Sequence, residues 1–308
     1  MHKRGKAAAG GMRESSWAVS VETLRQRAKI VSSMRAFFDG QGFVEVETPV
    51  RIDAPAPEPH IDCPEVLPPR SNRGVITYLR ASPELQMKKL LAAGMDKIYQ
   101  IGPCFRENER GSRHNPEFTM MEWYRRNAGY LDILSDMESL FAHLLQLTGR
   151  DALPAKQMTV REAYRLWAGW DPWTGEWDQD RFDMDMATKI EPALANEGAV
   201  FLLDYPRAAA SLAKLREDDD VAERWEFYMN GIELANCFTE LCDSEEQRLR
   251  FLMAKEDRRS LGEADYPLDE EFIGAIDGIG SAAGVALGVD RLVMVLLGLR
   301  SISASRVL

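Results

Sequence analysis

The sequence predicts an α+β fold: a largely antiparallel sheet flanked by helices. Three observations carry this. Strand-like segments fall at the start, middle and end of the chain, long insertions separate them, and the strongest turn signal, Asn230-Gly231, belongs to an antiparallel hairpin.

The elements follow in order. Leu24, Ala28, Val31, Met34 and Phe38 recur at helical spacing over 22–39, and Gly40 and Gly42 stop that helix. Val44 to Pro49 alternates as a strand, and 53–69, rich in proline, reads as a loop. Ser82-Pro83-Glu84 offers an N-cap, a proline for the first turn and an early acid, so a helix is expected from Leu85 until Gly94. Ile98–Phe105 and Glu117–Tyr124 read as strands around the polar stretch 106–116, and 131–147 as an amphipathic helix. About 150–200 is rich in tryptophan (Trp167, Trp170, Trp173, Trp177) and carries Asp171, Glu176, Asp178, Asp180, Asp183 and Asp185. It is expected to be a mostly helical insertion with a solvated acidic face. Trp225–Met229 and Ile232–Leu241 flank Asn230-Gly231, whose residues tolerate the positive φ of a type I′ turn. Glycine-rich 278–288 then leads into an apolar helix, 289–299.

Composition narrows the function. The chain has 308 residues, 45% apolar and 28% charged, with a net charge of −11, which suits a globular protein and not a general coat for nucleic acid. The four cysteines, Cys63, Cys104, Cys237 and Cys242, form no CxxC pair and only four histidines exist, which argues against structural zinc and suits a reducing cytoplasm. No apolar run is long enough to span a bilayer. Residues 1–18 are expected to be a flexible extension without the apolar core of a secretory signal, and 19–308 the folded unit.

Three constellations carry chemistry. Arg106, Arg110, Arg113, Arg125 and Arg126 crowd one stretch of an acidic protein, interleaved with Glu107, Glu109, Glu117 and Glu122 and followed in part by His114-Asn115. This fits either a solvated charged hairpin or a phosphate clamp, since the guanidinium fork matches phosphate oxygens. The strand 231–241 carries Glu233, Asn236 and Glu240 among apolar residues, a costly arrangement if those groups are buried without partners. It is either an edge strand with its acids in water or a site for a hard, oxygen-loving ion. Gly284-Val285-Ala286-Leu287-Gly288-Val289-Asp290-Arg291 runs from strand into helix, where glycines admit a ligand and anions are favoured, but it also suits a packing turn.

Together these segments resemble the catalytic domain of class II aminoacyl-tRNA synthetases over about residues 20–308. Gly42 to Pro49 stands as motif 1, Phe105 to Tyr124 as motif 2 and Gly284 to Arg291 as motif 3. The wording Arg113-His114-Asn115-Pro116-Glu117-Phe118-Thr119-Met120-Met121-Glu122 and Gly231-Ile232-Glu233-Leu234-Ala235-Asn236 is closest to the lysyl branch. With about twenty residues before the catalytic part, no anticodon-binding domain is expected. The resemblance is therefore narrower: it is to freestanding lysyl-type paralogues that activate (R)-β-lysine with ATP and load it onto a lysine of elongation factor P. Ala286 supports that branch, standing where lysyl-tRNA synthetases carry glycine. An α-lysine-activating enzyme with another acceptor, and a non-catalytic binding module, are the alternatives.

The resemblance also implies roles. Arg106 would hold the α-phosphate of ATP and Arg291 the γ-phosphate, Glu233 and Glu240 would hold Mg²⁺, and Phe118 would stack on adenine. Asn108, His114, Asn115, Leu234 and Gly288 would complete the ATP site. Ser82, Pro83, Glu84, Glu122, Tyr124 and Glu240 would line the amino-acid pocket. A homodimer is expected, and tRNA is not expected as a partner. Asn108 is an amide where the family has a carboxylate, so Glu107 or Glu109 is the candidate substitute. Cys237 replaces a glycine and is expected either to narrow the pocket or to fill core, and the last strand is expected to be shortened after Leu299.

Overall fold

The computed structural model describes residues 19–68, 74–151, 153–216 and 220–307. The extension expected over 1–18 lies outside the described residues. Eight strands form one sheet in the order β1-β5-β6-β11-β10-β9-β8-β7. They are β1 (Val44–Glu45), β5 (Lys97–Phe105), β6 (Glu117–Arg126), β7 (Lys156–Thr159), β8 (Ala199–Pro206), β9 (Val221–Met229), β10 (Ile232–Thr239) and β11 (Ala282–Gly288). All neighbours in it are antiparallel except β1 with β5 and β7 with β8. A small second sheet pairs β2 (Arg51–Ile52), β4 (Thr77–Leu79) and β3 (Glu65–Val66).

The period-2 alternation of strands divides the large sheet into two chemically different faces. Met121 and Trp123 on β6, Trp225 and Phe227 on β9, Ala235 and Cys237 on β10, and Val285 and Leu287 on β11 point into the main core. There they meet α1 (Val21–Gly40), α3 (Tyr130–Leu147) and α9 (Val289–Leu296). Trp123 and Trp225 are completely buried, and removing apolar area of that size from water is the chief stabilisation on this side. The opposite face carries Glu122, Tyr124, Arg224, Glu226 and Asn236, with glycine and alanine on β11 beside them. That polar face is where the site lies.

Local chemistry accounts for most of the predicted elements. Ser20 caps α1, accepting from the Thr23 N–H at 3.0 Å. The β9–β10 turn has Asn230 at φ 52° and Gly231 at φ 70°, the two positive values that a type I′ turn needs. Two expectations change. The strand over 44–49 shrinks to Val44–Glu45 because Thr48 spends its N–H on the Gln100 side chain (3.0 Å), which draws the chain off the sheet edge. The acidic face of the insertion is not uniformly solvated. Asp185 is buried and accepts from the Trp170 indole at 2.8 Å, while Asp171 pairs with Arg165 at 2.5 Å. The insertion packs α4 (Val160–Ala163), α5 (Gln179–Asp185) and α6 (Glu191–Leu194) beside β7, which extends the sheet.

Candidate active site

A cavity of about 210 Å³ opens on the polar face of the sheet, lined among others by Arg106, His114, Asn115, Phe118, Glu233 and Arg291. Leu234, Asn236, Ala286 and Gly288 form its floor. Motif 2 supplies one wall. Arg106 is braced by Glu109 at 3.2 Å and lies over the Phe118 ring at 5.2 Å. Its Nε has no hydrogen-bond partner among the described residues, and neither does Nδ2 of buried Asn115. Two buried donors left open towards one cavity are costly without a ligand and suit an acceptor-rich one such as a nucleotide.

Arg291, in the first turn of α9, closes the opposite wall. Its Nη1 donates to the Glu233 carbonyl at 3.0 Å and to Glu233 Oε2 at 3.3 Å, and its Nε donates to the Arg113 carbonyl at 3.2 Å. Nη2 meets His114 Nε2. Burial and then the Arg291 charge push the His114 pKa down, so the ring is neutral, Nε2 accepts, and the proton sits on Nδ1. Arg113 reaches the Gly231 carbonyl at 3.3 Å and so ties the motif 2 loop to the hairpin turn.

Glu233 reaches this cavity through an irregularity. The β9–β10 register shifts between Glu233 and Ala235, so Glu233 opposes Tyr228 while Asn236 opposes Glu226. A β-bulge places residues of odd and even spacing on one face. Burial, then the charge of Glu226, hold the Glu233 carboxyl above its ordinary range; Glu226 itself is engaged by Arg224 at 2.5 Å and by the Tyr228 hydroxyl at 2.6 Å, so Glu233 is the acid that faces the cavity.

A second, buried cluster of acids lies on the same face of the sheet. Ser82 donates to Glu122 Oε1 at 2.7 Å, and the Tyr124 hydroxyl donates to Glu122 Oε2 at 2.7 Å. Lys88, fully buried, meets Glu84 and Glu240 at 2.5 Å each. Three carboxylates thus face one lysine. Burial, then the Glu84 charge, push Glu122 up to about 7, and burial raises Glu240 despite the neighbouring lysine. Gly284 makes this packing possible. A Cβ there would stand 2.1 Å from Tyr124 ring carbons and 2.8 Å from Glu240 Oε1. Gly284→Ala is therefore expected to displace Tyr124 and weaken binding of an amine substrate about tenfold or more, with KM for ATP unchanged; substrate titration of the variant checks it.

The structure brings together Arg106, His114, Asn115, Phe118, Glu233, Leu234, Gly288 and Arg291 in one group, and Ser82, Glu84, Glu122, Tyr124 and Glu240 in the other. Pro83 is the residue preceding α2 (Glu84–Ala92) and makes no side-chain cap. Two placements differ from the rest. Glu240, expected with Glu233 at the metal, contacts Lys88 at 2.5 Å, while Glu233 lines the cavity. Asn108 is outside the cavity wall, exposed and donating to Asp62 at 3.1 Å, whereas Glu109 lines the cavity. Cys237 faces the main core and fills it.

Sequence reasoning missed Lys88 and Glu226, the latter hidden in an apolar-aromatic strand, and also the tail. After Leu299 the chain forms a short 3-10 turn, Ile302–Ala304, in place of a strand. Ile302 lines the cavity and donates its N–H to the Ser112 carbonyl at 2.9 Å, and Arg306 pairs with Glu117 at 2.6 Å.

Comparison with known proteins adds to this geometry. The profile described as tRNA synthetases class II (D, K and N) matches residues 16–307. The elongation factor P–(R)-β-lysine ligase of Proteus mirabilis (strain HI4320) is 37% identical over 310 residues, spanning 92% of this chain and 94% of the relative. The protein of the same description from Actinobacillus succinogenes is 38% identical over 301 residues, 90% of this chain and 92% of the relative. That from Haemophilus influenzae (strain PittGG) is 36% identical over 306 residues, 92% and 93% respectively.

Proposed function

The chain belongs to the class II tRNA synthetases of the D, K and N type, and from that membership we propose that it activates (R)-β-lysine with ATP and transfers it to a lysine side chain of elongation factor P. One observation carries the reading at the level of chemistry: a cavity lined by Arg106 and Arg291 lies on the same face of the sheet as a buried cluster of acids that already holds one ammonium, that of Lys88.

In the first half-reaction the substrate carboxylate attacks the α-phosphorus of ATP, the bond to pyrophosphate breaks, and an acyl adenylate forms. The nucleophile is already ionised, so no general base is needed, and the residues act by positioning and by stabilising charge on phosphate oxygens. Arg106, oriented by Glu109 and Phe118, faces that charge from one wall; Arg291, oriented by Glu233 and neutral His114, faces it from the other. Glu233 and Glu240 are the carboxylates we assign to Mg²⁺, which when bound would offset phosphate charge; Glu226 is taken up by Arg224 and Tyr228. Glu240, Glu84 and Glu122 face the distal ammonium of the substrate. In the second half-reaction the acceptor amine attacks the activated carbonyl and AMP leaves.

We further assign a homodimer formed through motif 1, where β1 ends the sheet and Val44 is 51% exposed; a monomer by light scattering at micromolar concentration rejects it. Residues 19–308 act as the catalytic unit without tRNA. Among the described residues no helix is long and apolar enough to cross a membrane.

The deciding experiment is ATP–pyrophosphate exchange with (R)-β-lysine, α-lysine or no amino acid, followed by labelling of elongation factor P and of tRNA. Exchange driven by β-lysine and labelling of the protein support the reading; preference for α-lysine with labelling of tRNA alone overturns it. The pH profile is a second check. Glu122 holds an ammonium only when ionised, and its carboxyl titrates at about 7. Hence kcat/KM for the amine substrate is expected to fall about tenfold per pH unit below that point and to level off in mild alkali.

A further inference from the structure

Glu58 belongs to neither of the two groups described above, yet it lines the main cavity and also a small recess walled by Ser82, Glu84 and Leu85. It is half-buried, and its carboxylate makes no hydrogen bond or ion pair with any described residue. The charges that bear on it are Glu84, Arg106, Arg224 and Lys88, which puts it between the phosphate wall and the amine chamber.

The backbone around this open carboxylate is held firmly. Arg258 of α7 (Ser244–Leu261), fully buried, donates to the Glu58 carbonyl at 2.9 Å and the Ile61 carbonyl at 3.0 Å, and pairs with Asp62 at 2.8 Å. The Glu107 N–H donates to the Asp62 carbonyl at 2.9 Å, which fastens the same loop to motif 2. A side chain left free on a backbone fixed from both sides is a preorganised contact for a ligand.

We propose that Glu58 receives the substrate ammonium nearest the reacting carboxylate, and thereby selects diamino acids over amino acids that lack that group. This rests on the β-lysine reading above. The substrate carboxylate must lie by Arg106 and its distal ammonium by Glu84 and Glu240, and the amine close to the carboxylate falls between them, where Glu58 stands.

The test is calorimetric titration of the full chain with (R)-β-lysine and with 6-aminohexanoate, which keeps the carboxylate, the carbon chain and the distal amine but lacks the other amine. Glu58→Gln is expected to weaken β-lysine about 10- to 100-fold, the range for losing a charge-assisted hydrogen bond. Binding of 6-aminohexanoate is expected to stay within about twofold, as an uncoupled contact would. Glu58→Asp, which keeps the charge, should recover part of the loss. Equal weakening of both compounds, or no loss with β-lysine, overturns the assignment, with circular dichroism establishing that each variant is folded. A wild-type chain that binds neither compound instead removes the β-lysine reading itself.

Discussion

Arg291→Ala is expected to reduce ATP–pyrophosphate exchange by about 100- to 1,000-fold while the fold is retained, the usual cost of deleting one contact that stabilises transition-state charge. Four anchors hold this guanidinium: the carbonyls of Arg113 and Glu233, the Glu233 carboxylate, and the neutral His114 ring. None of them is lost as a structural element in the variant, because α9 carries a buried apolar face of its own, with Leu292, Val293 and Met294 all in the core. Alanine is also the best helix former for the first turn. The loss should therefore appear in kcat and kcat/KM, with thermal midpoint and circular dichroism unchanged. Arg291→Lys is expected to recover little, since a single ammonium cannot keep the forked geometry that meets Glu233, Arg113 and phosphate at once. Undiminished exchange in the alanine variant would reject the phosphate role.

The parts of this site that were legible in the sequence are those carried by local pattern. Asn230-Gly231 identifies its hairpin because few residues tolerate two consecutive positive φ values. Arg106 and Arg291 stand out because both belong to motifs with matching text. What was not legible depends on register and on distant packing. Glu233 and Asn236 share a face only because of the bulge between them, and no residue at 234 announces it. Strict alternation from Glu240 back along β10 would put Glu233 on the core side, so their sequence spacing does not reveal that both belong to the polar face. Glu226 reads as part of a hydrophobic strand until its cross-strand partner Asn236 is known. Lys88 reads as a helix-surface lysine in Met87-Lys88-Lys89, and only the tertiary packing of α2, which brings it to Glu240, buries it while Lys89 pairs with Asp269 instead.

Lys88→Met is expected to destabilise the chain by about 3–5 kcal/mol at pH 8, because it leaves buried acids without their counter-ion. The lysine is inaccessible to solvent and bridges Glu84 and Glu240 at 2.5 Å each, with Glu122 close enough to feel its charge. The pH dependence gives this prediction its sign. Burial already raises Glu122 to about 7 and raises Glu240 as well, against an ordinary value of 4.5, and the lysine charge opposes both shifts. Without the lysine both carboxyls rise further. The folded state then holds more protons than the unfolded state from about pH 4.5 upward, so stability falls with rising pH across that window. The variant should therefore approach the wild type in mild acid and diverge from it in mild alkali, as read by urea midpoints at constant m-value. Lys88→Met combined with Glu240→Gln should recover part of the loss, since the second change removes one of the stranded charges. If instead the single variant is as stable as the wild type at pH 8, the three acids are already neutral in the folded chain, and the chamber cannot hold an ammonium in the way proposed.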